Sequence, residues 1–114
     1  MALLPGEVYW AFLDKHRPVV ILSRDELNRG EYVLIAPFTT AHLAQRRSLP
    51  NCVAIQGQLY GLKDSVVQAE MITVLSRSDL VDVDKGSIAM LTGETMRELI
   101  RAVGFVIQAN CEPT

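Results

Sequence analysis

Several side chains in this sequence are of the types that can act on a phosphate without a metal ion. They are Lys15, His16 and Arg17; Thr39 and Thr40; His42, Arg46 and Arg47; and Glu70. Cleavage of RNA by its own 2′-hydroxyl needs a group that takes the hydroxyl proton, a cation for the phosphate oxygens, and a group that protonates the leaving oxygen. Arginine, imidazole, carboxylate and hydroxyl side chains are sufficient for these tasks. Because the nucleophile belongs to the substrate, the protein needs no activated nucleophile of its own.

Arg17 is the most informative of these residues. It precedes Pro18 and an apolar, mostly β-branched run, which predicts a buried strand from Pro18 to Ser23. Proline has no N–H and fits the first residue of a strand, so Arg17 is expected where the strand emerges from the core. A guanidinium held there can meet an anion with its donors already oriented. The alternative is a solvated arginine beside a strand, which residue type alone does not exclude.

Other kinds of site find no support in the sequence. It contains no Gly-rich phosphate loop, no Cys-x-x-Cys pair and no His-Glu-x-x-His motif. The two histidines are far apart in the chain and form a poor metal shell, and the Gly-x-Ser-x-Gly turn of serine hydrolases is missing. We therefore predict neither a metal nor a cofactor.

Composition narrows the class of protein further. The 114 residues fit one domain spanning 1–114. With 49% hydrophobic and 21% charged residues and a net charge of -2, the chain is neither a disordered tail nor a strongly basic nucleic-acid binder. Residues 1–50 carry six Lys and Arg against five Asp and Glu, whereas residues 51–114 carry five against eight. Contact with RNA must therefore use a local basic patch.

The cysteines and the apolar stretches predict an intracellular protein. Cys52 and Cys111 are expected to be free and buried. The apolar run at the N-terminus is too short for a secretory signal, and no stretch approaches the length of a membrane span. We expect a cytoplasmic location without membrane contact.

Short strands dominate the predicted structure. They are expected at residues 7–13, 18–23, 31–38, 52–55, 65–70 and 88–91, the fifth continuing to Val74 after a bend near Met71. Trp10 on the first strand is expected in the core, with a base-stacking platform as the alternative. The basic stretch 39–50 lacks strand alternation and is expected to be an exposed loop that covers the substrate.

The last element is predicted to be a helix. Thr92 can cap it, Glu94 lies in its first turn, and Asn110 and Pro113 are expected to end it. Gly104 within it predicts close approach of another backbone. The residues that share one face, and are expected in the core, are Met96, Leu99, Ile100, Val103, Val106 and Ile107. Strands followed by one helix predict a mainly β (α+β) fold, a small antiparallel barrel closed by a C-terminal helix.

Five segments carry a resemblance to a known family. They are Gly6-Glu7-Val8-Tyr9-Trp10, Arg17-Pro18-Val19-Val20-Ile21-Leu22-Ser23, Ala36-Pro37-Phe38-Thr39-Thr40, Gly61-Leu62-Lys63-Asp64-Ser65-Val66-Val67 and Glu70-Met71-Ile72-Thr73-Val74. In this order and spacing they resemble the MazF/PemK family of toxin endoribonucleases. The resemblance implies a homodimer of SH3-like barrels that cleaves single-stranded RNA at short sequence motifs without a metal and is neutralised by a MazE-like antitoxin.

The resemblance also implies roles for individual residues. Arg17 and Thr39 match the family's central catalytic pair, Arg17 binding the scissile phosphate and Thr39 orienting the phosphate or the 2′-hydroxyl. Glu70 matches a carboxylate or amide position and is the candidate general base, with His16 and His42 as alternatives. The residues expected to contact RNA are Lys15, His16, Thr40, His42, Arg46 and Arg47.

Two other functions stay open on the sequence alone. A related toxin family with the same barrel inhibits DNA gyrase by binding rather than by cleavage, and a fold by itself does not determine function. Gln68 and Thr73 are also consistent with an inactive paralogue.

Overall fold

The protein folds into a curled antiparallel sheet with one long helix at its end. The computed structural model describes residues 3–107. In these residues there are seven strands: β1 Glu7–Phe12, β2 His16–Ile21, β3 Tyr32–Thr39, β4 Cys52–Ile55, β5 Ser65–Gln68, β6 Thr73–Ser76 and β7 Ala89–Met90. There are two α-helices, α1 Leu43–Arg46 and α2 Gly93–Ile107. The predicted small antiparallel barrel with a C-terminal helix is confirmed.

Strand β3 lies at the centre of the sheet. The strands are ordered β4-β5-β3-β2-β1-β7, and β6 pairs with β3 on the same side as β5. The first half of β3 pairs with β6 through Tyr32–Ile35, and its end pairs with β5 through Phe38 and Thr39. Pro37 lies between the part of β3 that pairs with β6 and the part that pairs with β5. Neither β5 nor β6 pairs with residue 37, so the missing N–H of proline costs no hydrogen bond to them. The switch lets a single sheet curl on itself.

Side-chain alternation divides the core into two clusters, one on each face of the sheet. The cluster under α2 contains Val8, Val20, Ala36, Phe38, Val53, Ile55, Val67, Ala69, Leu91, Leu99 and Ala102. The cluster on the other face contains Leu3, Tyr9, Ala11, Val19, Ile21, Val33, Ile35, Leu75 and Leu80. Both clusters draw on β1, β2 and β3. These three strands are therefore packed on both sides, and their ends are held rigidly.

Strand β2 begins earlier than the sequence predicted. Pro18 is its third residue, paired with Trp10, and Arg17 lies inside the strand, paired with Ala11. The prediction that Pro18 starts the strand was wrong because the tight turn after β1 lets pairing begin at His16, opposite Phe12. Arg17 is consequently fixed by strand pairing on a short hairpin.

Helix α2 starts as predicted but does not bury its whole apolar face. The hydroxyl of Thr92 accepts a hydrogen bond from the Thr95 N–H at 3.1 Å, the predicted cap, and Glu94 lies in the first turn. Leu99 and Ala102 are buried. Ile100, Val106 and Ile107 are exposed, so their assignment to the core was wrong for the single chain. A Cβ built on Gly104 meets nothing within 4 Å, so the expected close backbone is also missing among the described residues.

The chain from Ser65 onward bends where the sequence predicted. Strand β5 ends at Gln68, a 3-10 turn spans Ala69–Met71, and β6 follows from Thr73. Glu70 lies in this turn rather than on a strand. Stretch 39–50 is mostly exposed, as expected, but contains the one-turn helix α1.

Two further expectations concern the cysteines and the membrane. Cys52 is free and buried. Cys111, Asn110 and Pro113 lie outside the described residues. Of the helices in residues 3–107, none is long and apolar enough to cross a membrane.

Candidate active site

A cavity of about 480 Å³ opens where the ends of β2, β3 and β5 meet. The β1–β2 hairpin contributes Trp10, Lys15, His16, Arg17 and Pro18 to its lining. The end of β3 contributes Phe38, Thr39 and Thr40, and the start of β5 with its preceding loop contributes Gly61, Leu62, Lys63 and Ser65. Five of the residues expected from the sequence to act on RNA thus line one cavity: Lys15, His16, Arg17, Thr39 and Thr40.

Two contacts hold the Arg17 guanidinium at this cavity. Nη1 donates a hydrogen bond to the main-chain oxygen of Phe38 at 3.3 Å, and Nη2 is 2.9 Å from the Asp14 carboxylate. Asp14 lies in the turn between β1 and β2, and its side chain is exposed. The Arg17 side chain, by contrast, is only 14% exposed. The neighbouring strand and the hairpin turn therefore fix the direction of the guanidinium.

One donor of the Arg17 guanidinium has no partner among the described residues. Its Nε–H is buried and has no hydrogen-bond partner in the described structure. A guanidinium carries five N–H donors arranged in a fork that matches phosphate oxygens. A buried donor without a partner costs about 1–3 kcal/mol, which a ligand oxygen would recover. Arg17 therefore keeps hydrogen-bonding capacity beyond its contacts with Phe38 and Asp14.

Thr39 is the last residue of β3 and is buried. Its Oγ1 accepts a hydrogen bond from the Ala41 N–H at 3.2 Å. Because the oxygen already accepts, its own hydrogen is free to point away from Ala41 and to donate to another oxygen. Its neighbour Thr40 is exposed at the same cavity.

A tight loop before β5 forms part of the cavity wall. The N–H groups of Tyr60 and Leu62 both donate to the Gly57 oxygen at 2.9 Å, and the Gly57 N–H donates to the Asp64 carboxylate at 2.8 Å. A Cβ on Gly57 would lie 2.0 Å from the Leu62 oxygen, so only glycine fits there. The loop in turn places Leu62 and Lys63 at the cavity. The sequence predicted that stretch 39–50 would cover the substrate, but beyond Thr40 none of that stretch is in the lining.

An aromatic pair forms another part of the wall. The rings of Trp10 and His16 stack with centroids 4.8 Å apart and planes 17° apart, and Phe12 packs on His16 at 4.9 Å. Trp10 is half-buried and His16 is exposed. The expectation that Trp10 belongs to the core was therefore wrong. Cross-strand pairing of Phe12 with His16 brings these rings to one face of the sheet.

The charge of the cavity suits a polyanion. Its lining contains three cations, Lys15, Arg17 and Lys63, and no carboxylate among the residues that the structure describes. Lys15 and Lys63 are exposed at the mouth. Cations focused in a concave surface attract phosphates even when the whole chain is slightly acidic.

Glu70 lies apart from this cavity. It is exposed, and its carboxylate accepts a hydrogen bond from the Gln68 amide at 3.1 Å. Its charge acts on Cys52: burial raises the pKa of the Cys52 thiol, the Glu70 charge raises it further, and the Arg46 charge lowers it. The 3-10 turn after β5 thus carries Glu70 away from Arg17 and Thr39.

The other predicted RNA-contacting residues lie on or beside α1. His42 precedes this helix in a left-handed conformation with φ 53°, and Arg46 donates to the Ala41 oxygen at 3.3 Å. Arg47 is exposed. None of these three belongs to the cavity lining.

Sequence reasoning singled out neither Lys63 nor Ser65, which both line the cavity. Ser65 is the more buried of the two. It is 4% exposed, lines the cavity, and its hydroxyl has no hydrogen-bond partner in the described structure. Its sequence signal was weak, because a serine at the start of a strand is ordinary.

Among residues 3–107 no group of three or more His, Cys, Asp or Glu residues is arranged to hold a metal ion.

The chain was compared with protein families, curated proteins and solved structures. Residues 4–107 match the family model of the PemK-like, MazF-like toxins of type II toxin-antitoxin systems. No curated protein matches the chain.

Several solved structures are similar over nearly the whole chain. An endoribonuclease in complex with its cognate antitoxin, from a mycobacterial species, is 26% identical with a TM-score of 0.79, covering 97% of this chain and 100% of its own. The Mycobacterium tuberculosis toxin MazF-mt6 is 28% identical with a TM-score of 0.76, covering 91% and 98%. A MazE-MazF complex from Deinococcus radiodurans, 18% identical with a TM-score of 0.73, covers 96% and 100% and shares the fold.

Proposed function

The chain belongs to the PemK-like, MazF-like toxins of type II toxin-antitoxin systems, and from its cavity we propose that it is an endoribonuclease. The substrate is single-stranded RNA, cleaved at short sequence motifs without a metal ion. The observation that carries the proposal is the Arg17 guanidinium, oriented by the Phe38 oxygen and Asp14 with its buried Nε–H still unpaired.

The proposed reaction uses the nucleophile of the substrate. The 2′-oxygen attacks the adjacent phosphorus and the bond to the 5′-oxygen breaks, which leaves a 2′,3′-cyclic phosphate and a 5′-hydroxyl. Arg17 binds the non-bridging oxygens and stabilises the charge that grows on them in the transition state. Thr39 donates its hydroxyl hydrogen to the phosphate or the 2′-oxygen and so aligns the attack. Lys15 and Lys63 bind the phosphates on either side.

The proton transfers are assigned to groups that line the cavity. Glu70 does not line it and is engaged by Gln68, so we give Glu70 no part in taking the 2′-hydroxyl proton. The 2′-hydroxyl proton passes to His16, the imidazole that lines the cavity, rather than to His42, which does not line it. The imidazolium then gives up a proton, through solvent, to the leaving 5′-oxygen.

The partners are proposed on the same basis. A MazE-like antitoxin is the proposed inhibitor, because similar toxins have been solved with theirs. A homodimer would cover apolar side chains that the single chain leaves exposed on α2, namely Ile100, Phe105 and Ile107. Residues 1–114 would act as one toxin domain in the cytoplasm, where both RNA and antitoxin occur.

A cleavage assay tests the proposal. The purified protein is incubated with a long single-stranded RNA in EDTA, and the ends of the products are mapped. We expect cuts at a short recurring motif, with cyclic phosphate and 5′-hydroxyl ends. Intact RNA at a stoichiometric amount of protein would refute the nuclease and would favour a toxin that acts by binding.

A further inference from the structure

We propose that Trp10, His16 and Ser65 form a nucleobase-binding subsite beside the phosphate site of Arg17. The subsite would hold the base of a nucleotide flanking the cleaved bond, with the base extending the stack of the Trp10 and His16 rings and the Ser65 hydroxyl contacting its edge. The inference rests on the proposed function, since it assigns a base of the proposed RNA substrate to one wall of the same cavity, where His16 would also act on the 2′-hydroxyl.

The three residues share one face of the sheet. Trp10 pairs with Pro18, Val20 with Ala36, and Phe38 with Val67. Side chains alternate along each strand, so His16, Pro18 and Val20 point the same way, as do Ser65 and Val67. The register therefore places Trp10, His16 and Ser65 on the same side, and all three line the cavity.

The aromatic pair has the properties of a stacking platform. The two rings are nearly parallel, with centroids 4.8 Å apart and planes 17° apart. Phe12 on β1 packs against the His16 ring on β2. Their positions are fixed by the β1–β2 pairing, so little conformational freedom is lost when a base stacks on them. His16 is exposed, which leaves ring surface accessible. Single-stranded nucleic acids bind aromatic rings of this kind through their base faces.

Ser65 supplies the polar contact. Its hydroxyl is buried and unpaired at the same cavity, a state that is unfavourable until a partner arrives. A hydroxyl can both donate and accept, so it can contact the edge of a base while the rings hold its face. Sites with apolar walls and one or two polar groups typically fix orientation in this way.

The neighbouring residues determine which base is held. His16 directly precedes Arg17, and Ser65 directly precedes Val66, which pairs with Thr39. Adjacent side chains of a strand point to opposite faces, so the platform and the pair Arg17 and Thr39 start from the two faces of the sheet, and both line the cavity where these strands end. A base on the platform and a phosphate at Arg17 would thus belong to neighbouring nucleotides. This makes Ser65 and His16 candidates for setting the cleavage motif at that position.

Binding of uncleavable oligonucleotides tests the subsite. Trp10 is the only tryptophan of the chain, so its fluorescence reports directly on this wall. The probes span the mapped cleavage site, carry a 2′-deoxy sugar at the cut, and have an abasic residue at each flanking position in turn. We expect the intact probe to quench Trp10. One abasic position should abolish most of the quenching.

The variants separate stacking from other roles of His16. His16→Ala should raise Kd on the order of ten-fold, His16→Phe should restore it, and the loss should vanish on the probe that is abasic at the sensitive position. Lys63→Ala is the matched control, because loss of a cation should weaken all probes alike. An equal effect of His16→Ala on intact and abasic probes, or failure of His16→Phe to restore binding, would overturn the platform.

Ser65→Ala tests the polar contact with a readout that is independent of folding. Removal of an unpaired buried hydroxyl should leave the melting temperature equal or higher. Preference among the four bases at the sensitive position should fall several-fold, with binding of the abasic probe unchanged. Unchanged base preference would refute the role of Ser65. If these variants behave like wild type while the RNA is still cleaved, only the subsite fails; if the wild-type chain neither binds nor cleaves RNA, the proposed function fails.

Discussion

Arg17 Nη1 donates a hydrogen bond to the main-chain oxygen of Phe38, 3.3 Å away. This contact ties the guanidinium on β2 to the residue before Thr39, the last residue of β3. Any shift of one strand end therefore moves both members of the proposed catalytic pair together. Such coupling preserves the geometry on which catalysis by positioning depends.

The hydroxyl of Thr39 should contribute through alignment. Thr39→Val keeps the shape but removes the group that accepts from Ala41 and donates to the substrate. We expect a drop in kcat of about 10- to 100-fold, as for a small misplacement of reacting groups. Thr39→Ser keeps the hydroxyl and should stay within a few-fold of wild type. Equal rates for the two variants, measured in single-turnover assays, would contradict the role.

Removal of the Glu70 charge should leave cleavage nearly unchanged. A lost general base costs about 10²- to 10⁴-fold, whereas we expect Glu70→Gln to stay within about three-fold, because the carboxylate lies outside the cavity. The same variant should lower the pKa of the Cys52 thiol, which the Glu70 charge raises. Alkylation of Cys52 as a function of pH, in a Cys111→Ser background, measures this. A large loss of cleavage would restore Glu70 as the base.

The loop that carries Leu62 and Lys63 to the cavity should not tolerate a side chain at Gly57. A Cβ there would lie 2.0 Å from the Leu62 oxygen, so Gly57→Ala must displace the segment that carries Leu62 and Lys63. We expect a loss of about 1–3 kcal/mol in the free energy of unfolding together with slower cleavage. Gly104→Ala is the matched control: its Cβ meets open space in a helix, and it should stabilise by up to about 1 kcal/mol. Urea unfolding of both variants measures these changes, and equal stability of Gly57→Ala and wild type would contradict the prediction.

Tyr9 should make the fold sensitive to alkali. Burial, reinforced by the charge and the hydrogen bond of Glu7, raises the pKa of Tyr9 to about 12, above about 10 for a free tyrosine. Between these values the unfolded chain releases the phenol proton while the folded chain keeps it, so stability should fall as the pH rises from about 10 to 12. Tyr9→Phe should flatten this part of the profile, measured as urea midpoints. If the urea midpoint of Tyr9→Phe falls as steeply with pH as that of wild type, Tyr9 is not the cause of the alkaline sensitivity.

The sequence predicted the strands and the C-terminal helix better than it predicted which side chains meet at the cavity. A continuous apolar run indicated β4 at its observed bounds, and Thr92 indicated the start of α2. Arg17 and Thr39 were identified through the family resemblance, and the register then brought them to one cavity.

What the sequence could not indicate depends on contacts between distant segments. Ser65 is notable only because the folded chain buries its hydroxyl at the cavity without a hydrogen-bond partner among the described residues. Glu70 leaves the site because β5 ends at Gln68 and a 3-10 turn intervenes. Trp10 lies at the cavity wall because cross-strand pairing brings His16 against it.

The most direct test of the proposed function is the single-turnover cleavage rate of Arg17→Ala in EDTA on a mapped RNA. Arg24→Ala serves as the matched control, since Arg24 is exposed and outside the cavity. Thermal unfolding of both variants confirms that they fold. We predict that Arg17→Ala loses about a hundred- to a thousand-fold in rate, and that Arg24→Ala stays within about two-fold of wild type. Cleavage by Arg17→Ala at the wild-type rate would contradict the assignment of the site.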